Sequence, residues 1–121
     1  MERSALDTPA KVDHLVRVFY ERLLADPVVR HHFIDLDLPA HLPRVAVFWN
    51  MVIFGGPADG TMMAKHFAHH RTKPILPAHF DRWLEHFTAT VDDLYVGDNA
   101  EEVKQRARTI AAVMRVKIDR P

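Results

Sequence analysis

The sequence predicts an all-α fold with four substantial helices and one or two short ones. Apolar residues recur at three- and four-residue steps almost everywhere along the chain. Gly, Pro and Asp-Pro signals punctuate those stretches, and no strand signal competes. There is no internal repeat, heptad run or low-complexity segment.

The first helix runs between Pro9 and Ala25, where Val12, Leu15, Val16, Phe19, Leu23 and Leu24, joined by Tyr20, form the apolar stripe. Asp26-Pro27 stops it and restarts the chain, because Pro suits a helix's first position and Asp can cap the new N-terminus. A short turn to Phe33 and an Asp- and Pro-bearing loop follow. His41 to Phe54 reads as the next helix, with Pro43 in its first turn and Leu42, Val45, Phe48, Trp49 and Val52 inward. Gly55-Gly56-Pro57 ends it. Thr61 to His70 is helix-permissive but weakly patterned, with Met62, Met63, His66 and Phe67 as its large apolar or semi-apolar positions. From Pro77 the residues Phe80, Trp83, Leu84, Phe87, Val91, Leu94 and Tyr95 fall on one face, which Gly97 closes. Asp98 and Glu101 resemble a capping box, and Val103, Ala107, Ile110, Ala111, Met114 and Ile118 continue as the last helix.

With 121 residues, 48% hydrophobic content and only 4 Gly, the chain reads as one domain over 1–121, with residues 1–8 approximately an N-terminal arm. The 16 Lys+Arg balance 16 Asp+Glu, so charge makes no case for nucleic acid or an anionic membrane surface as the main partner. The absence of Cys excludes disulfides, thiolate metal sites and iron–sulfur clusters. The longest apolar stretch, Val45 to Phe54, is interrupted by Asn50 and falls short of the about 20 residues that span a bilayer. Met1-Glu2-Arg3-Ser4-Ala5-Leu6-Asp7 lacks the charged-then-apolar build of a secretory signal, so a cytoplasmic location is expected, and a small neutral domain is expected to be a monomer.

Nine His stand out in so short a chain. His31, His32, His69, His70, His79 and His86 fall where the pattern predicts surface, loop or helix edge, and ordinary roles are expected for them. His41 and His66 lie on two helices that the Gly55-Gly56-Pro57 break can bring face to face. Each can ligate a metal or be a buried imidazole satisfied by a carbonyl. A non-haem metal site is one reading, because the i, i+4 spacing of His66 and His70 puts two imidazoles on one helical face. A hydrolytic zinc helix, however, needs Glu beside the first His, and Phe67 stands there. Di-iron bundles need Glu with His three residues on, and no Glu here has that neighbour.

A haem pocket explains more. Porphyrin iron asks the protein for one axial imidazole, a large apolar crevice and a few distal hydrogen-bonding groups. Phe19, Phe33, Phe48, Trp49, Met63, Phe67, Phe80, Trp83 and Phe87 are a surplus of bulky apolar residues, although aromatics at helical spacing are also what a plain core contains. A cofactor-free helical module that binds a partner through exposed aromatics has no specific support.

Several motifs, in order along nearly the whole chain, resemble a family. They are Phe19-Tyr20-Glu21; Asp26-Pro27 running to Phe33; His41 ahead of Phe48-Trp49; Met63-Ala64-Lys65-His66; His79-Phe80-Asp81-Arg82-Trp83-Leu84-Glu85-His86-Phe87; and Ala107 to Ala112. The family is the truncated haemoglobins, a short-chain branch of the globins, and the motifs look most like its third group. The Gly55-Gly56-Pro57 break is more typical of other groups, and the Phe67 to Pro77 stretch is longer than the family pattern.

The resemblance implies a truncated globin fold, a helical sandwich around a haem pocket, holding haem b (iron protoporphyrin IX). It makes His66 the proximal iron ligand, with His69 or His70 a minor alternative, and turns Tyr20 and His41 toward the bound gas. Trp83 would offer an indole N–H there, Phe33 would pack on the porphyrin and Val45 would line the distal helix. Phe48 and Met63 would line the crevice, and Arg44 would pair with a propionate. The implied ligands are O2, NO and other small haem ligands, for oxygen binding or transport. The same distal donors suit peroxidase-like or nitric oxide dioxygenase-like turnover, given a reductant that the chain does not identify.

Overall fold

The computed structural model describes residues 3–55 and 75–119. The helix expected over 61–70, with Met62, Met63, His66 and Phe67, lies outside the described residues, as do Gly56, Pro57, His69, His70 and the side chain of Ile118.

Helix α1 spans Pro9–Ala25. Thr8 sets its start, its Oγ1 accepting the Lys11 N–H at 3.3 Å, and Pro9 takes the first helical position, where a missing N–H breaks no bond. Val12, Leu15, Val16, Phe19, Tyr20 and Leu23 are buried along one face, as the period requires. Asp26 then leaves the helix in extended backbone, and its Oδ1 accepts the Val28 N–H at 2.9 Å, which tightens the corner. A 3-10 turn over Arg30–His32 leads into helix α2, Leu38–Phe54.

Helix α2 begins three residues before His41, the expected start. Pro39 occupies its first turn, and Pro43 lies inside the helix on an exposed face. Only one ladder bond is lost there, and solvent can reach the carbonyl left over, which is why a Pro near a helix start can be tolerated. Trp49 and Ala46 are buried, while Leu42, Val45, Phe48 and Val52 are half-buried against the core. Gly55 ends the helix with a φ of 88°, a region that favours glycine, and its N–H donates to the Met51 carbonyl at 2.8 Å.

Helix α3 spans Pro77–Leu94 and helix α4 Asp98–Asp119. Between them Tyr95–Val96 (β2) pairs in parallel with Ser4–Ala5 (β1), Ser4 opposite Tyr95 and Ala5 opposite Val96. The expectation of no strand is corrected by this pair. Two residues are too few to show alternation, and the pairing joins chain segments far apart in sequence. Asp98 is already helical, so it does not stand ahead of α4 as a cap, and the Glu101 carboxylate lies 3.0 Å from Lys104 Nζ.

Helix α1 packs on α2 and α3, and α4 packs on those same two helices. Their shared core holds Leu15, Val16, Phe19, Leu23, Trp49, Phe87, Val91, Val103 and Ala107. The N-terminal arm is docked as well. Leu6 is fully buried in that core, Asn99 Nδ2 donates to the Leu6 carbonyl at 2.9 Å, and Tyr95 donates from its hydroxyl to the Lys11 carbonyl at 2.9 Å. No helix among the described residues is long and apolar enough to cross a membrane.

Candidate functional site

The buried face of α1 carries Tyr20 at its C-terminal end, and the first turn of α2 carries His41 opposite it. The two side chains meet with Tyr20 Oη 2.9 Å from His41 Nε2, so one hydrogen is shared between phenol and imidazole. Burial pushes the Tyr20 hydroxyl well above its usual pKa, because the phenolate would lose its hydration. At neutral pH the group is a protonated phenol that can donate.

Aromatic side chains extend from this pair. The Phe33 ring meets Tyr20 edge-on at 5.6 Å, and Tyr20 in turn meets Phe19 at 5.5 Å. Phe19 touches Trp83 at 5.7 Å, and Trp83 stacks on Phe87 at 5.9 Å with planes 10° apart. Trp49 also stacks on Phe87, at 4.6 Å, and Phe48 meets Trp49 edge-on at 5.0 Å. Tyr20, Phe33, Phe48 and Trp83 therefore belong to one continuous aromatic row, with His41 at its polar end. Val45 is half-buried against the core and Arg44 is exposed on α2. His66 and Met63 lie outside the described residues.

Two further polar clusters lie nearby, and sequence periodicity gave no sign of either. Asp26, 5% exposed, receives Arg82 in a two-pronged contact, Nε to Oδ2 at 2.9 Å and the second guanidinium nitrogen to Oδ1 at 3.1 Å. His86 Nε2 adds a contact to Oδ2 at 2.7 Å. The Arg82 guanidinium, helped by His86 and the Val28 N–H, holds the Asp26 carboxyl well below the usual carboxylate range despite its burial. His86 is thus a half-buried partner of Asp26 on the side of α3. The second cluster is His31, His32 and His79. His32 is buried at 8% exposure, with Nε2 2.8 Å from His79 Nδ1, which also accepts the Leu76 N–H at 3.0 Å. Burial, then the nearness of His31, pushes the His79 imidazole down toward its neutral form. Both clusters join the corner after α1 to helix α3, and contacts that distant in sequence leave no local signature.

The chain matches the family model for bacterial-like globins over residues 5–118. It belongs to the bacterial-like globin family. This globin is 32% identical over 85 residues to a group 1 truncated haemoglobin of Tetrahymena thermophila, an alignment that spans 69% of this chain and 67% of that protein. Its fold resembles the crystal structure of a group III truncated haemoglobin from Campylobacter jejuni, with a TM-score of 0.84 at 21% identity over 97% of this chain and 95% of that one. Both relatives are truncated haemoglobins, and the α1–α4 arrangement is a truncated globin fold. The family supports a haem-binding globin.

Proposed function

We propose that this globin holds haem b through His66 and reversibly binds O2, NO or another small diatomic ligand, in oxygen binding or in redox detoxification with a separate reductant. The observation that carries the reading is the Tyr20–His41 pair, a buried phenol and imidazole 2.9 Å apart at the end of an aromatic row. A plain helical core gains nothing from placing two polar groups there, whereas a ligand pocket needs convergent donors inside an apolar wall.

The described residues fit the cofactor. Phe33, Leu42, Val45, Phe48, Val52 and Trp83 are large apolar side chains packed on the core yet only partly covered, which is the surface a flat apolar macrocycle needs. When bound, haem supplies an iron atom that takes the diatomic ligand. The chain supplies the surroundings: Tyr20 offers its hydroxyl, His41 holds that hydroxyl in place, and Trp83 is a further N–H source on the same row. Arg44, exposed near the start of α2, suits a propionate at the pocket's mouth. A carboxylate there would be partly hydrated, so its pairing matters more for haem orientation than for affinity.

Hemin titration of the purified full chain tests the reading. One equivalent taken up with an intense Soret band supports it, and protein that stays colourless in excess hemin overturns it. His66→Ala should shift the ferrous spectrum or loosen haem retention, and an unchanged spectrum would move the ligand role to another His. The non-haem alternative through His66 and His70 predicts metal uptake without a Soret band, and the family supports the haem reading over it.

A further inference from the structure

His31 and His32 sit side by side in the 3-10 turn ahead of Phe33, with rings 4.0 Å apart and tilted by 40°. His79 comes from the first turn of α3, and its ring lies 5.0 Å from that of His31 and 4.6 Å from that of His32. Each of the three offers one ring nitrogen, and these nitrogens all lie within 4.8 Å of one another. Among the described residues this is the group of His and carboxylate side chains gathered closely enough to hold a metal. We propose that His31, His32 and His79 form a three-imidazole site for a divalent transition-metal ion of the zinc class, sharing no residue with the proposed haem site.

The donor chemistry favours that class. Neutral imidazole suits zinc, copper and nickel, whereas calcium and magnesium require oxygen donors. Three protein nitrogens at about 2.0–2.1 Å from a tetrahedral ion are about 3.3 Å from one another. The 2.8 Å between His32 Nε2 and His79 Nδ1 has to open slightly for this, and the wider spacing within the group has to close, both within reach of ring rotation. Without metal, His79 Nδ1 accepts the Leu76 N–H, so His32 Nε2 carries the hydrogen between the two rings. Ligation displaces that hydrogen from His32 Nε2, as a tautomer shift or as a proton released to water, and the metal takes the Nδ1 lone pair of His79. The Leu76 N–H then turns to solvent, which an exposed Leu76 allows. His32 is buried, His79 half-buried and His31 exposed. The ion would fasten the 3-10 turn to α3 across 47 residues of chain.

Chelator-treated full chain titrated with zinc chloride, by calorimetry and by displacement of cobalt(II) with its visible bands, tests the site. One tight equivalent is expected, weakened at least about tenfold by His31→Gln and by His79→Gln alike. His31 is exposed, so its substitution is expected to disturb folding less than His79→Gln at the start of α3, and circular dichroism of each variant reports its folding. A His69→Gln/His70→Gln double variant should bind as the parent does. The proposal is overturned if no equivalent binds, if either His31→Gln or His79→Gln binds undiminished, or if the double variant loses the ion.

Discussion

A buried phenol with an imidazole partner is a donor held in one direction. Tyr20 cannot ionise near neutral pH, because burial raises its pKa, and its hydroxyl stays close to His41 Nε2 until a better acceptor arrives. A diatomic ligand that accumulates negative charge is such an acceptor, and a hydrogen bond to it is worth about 1 kcal/mol or more. Tyr20→Phe keeps the ring contacts with Phe19 and Phe33 and removes only the hydroxyl. The O2 dissociation rate of the haem-loaded protein should rise about fivefold or more, the factor matching about 1 kcal/mol, in stopped-flow ligand replacement. An unchanged rate would take Tyr20 out of the distal network.

At the scale of elements, the short parallel pair of Ser4–Ala5 with Tyr95–Val96 and the burial of Leu6 make the arm part of the core. Leu6→Ala should cost about 2–5 kcal/mol in denaturant unfolding, the range for a fully buried Leu, whereas a cost near zero would mean that the arm does not dock in solution. That docking was not legible in the sequence. Helix periodicity located α1 and α3 closely, because Phe19, Leu23, Phe87 and Val91 repeat as a buried face must. It misjudged the start of α2, because Pro39 and Pro43 both suit a first turn and only tertiary packing chose the earlier one. It also treated His32 and His86 as peripheral, since a His in a 3-10 turn has no periodicity and one on the edge of α3 reads as surface, while their partners stand 47 and 60 residues away. Only the family resemblance put Tyr20 and His41 together, because their local patterns read equally well as core and helix edge; the structure sets their side chains 2.9 Å apart.

For the whole molecule, Asp26 is the charge that ties the corner after α1 to helix α3, and its ionisation links fold stability to acid. Its carboxyl is held low by Arg82 first, then His86 and the Val28 N–H, while in the unfolded chain it has the ordinary aspartate value of 3.8. A folded-state pKa below the unfolded one means that the unfolded chain binds the proton more readily. The stabilisation is therefore fully present above about pH 4 and is lost as pH falls from there toward the folded pKa. Asp26→Asn keeps the size of the side chain and removes the charge, leaving Arg82 and His86 with a weaker acceptor. The surface pairs of Asp7 with Lys11 and Asp93 with Arg22 are present in both proteins, so their contribution cancels in the comparison. Thermal unfolding of the haem-free proteins should show the parent well above the variant at pH 7. The gap should narrow steadily below pH 4, as the parent's unfolded chain takes up at Asp26 a proton that the folded state still excludes. A gap that stays constant from pH 7 to pH 2 would mean that Asp26 acts through packing alone and not through its ion pair.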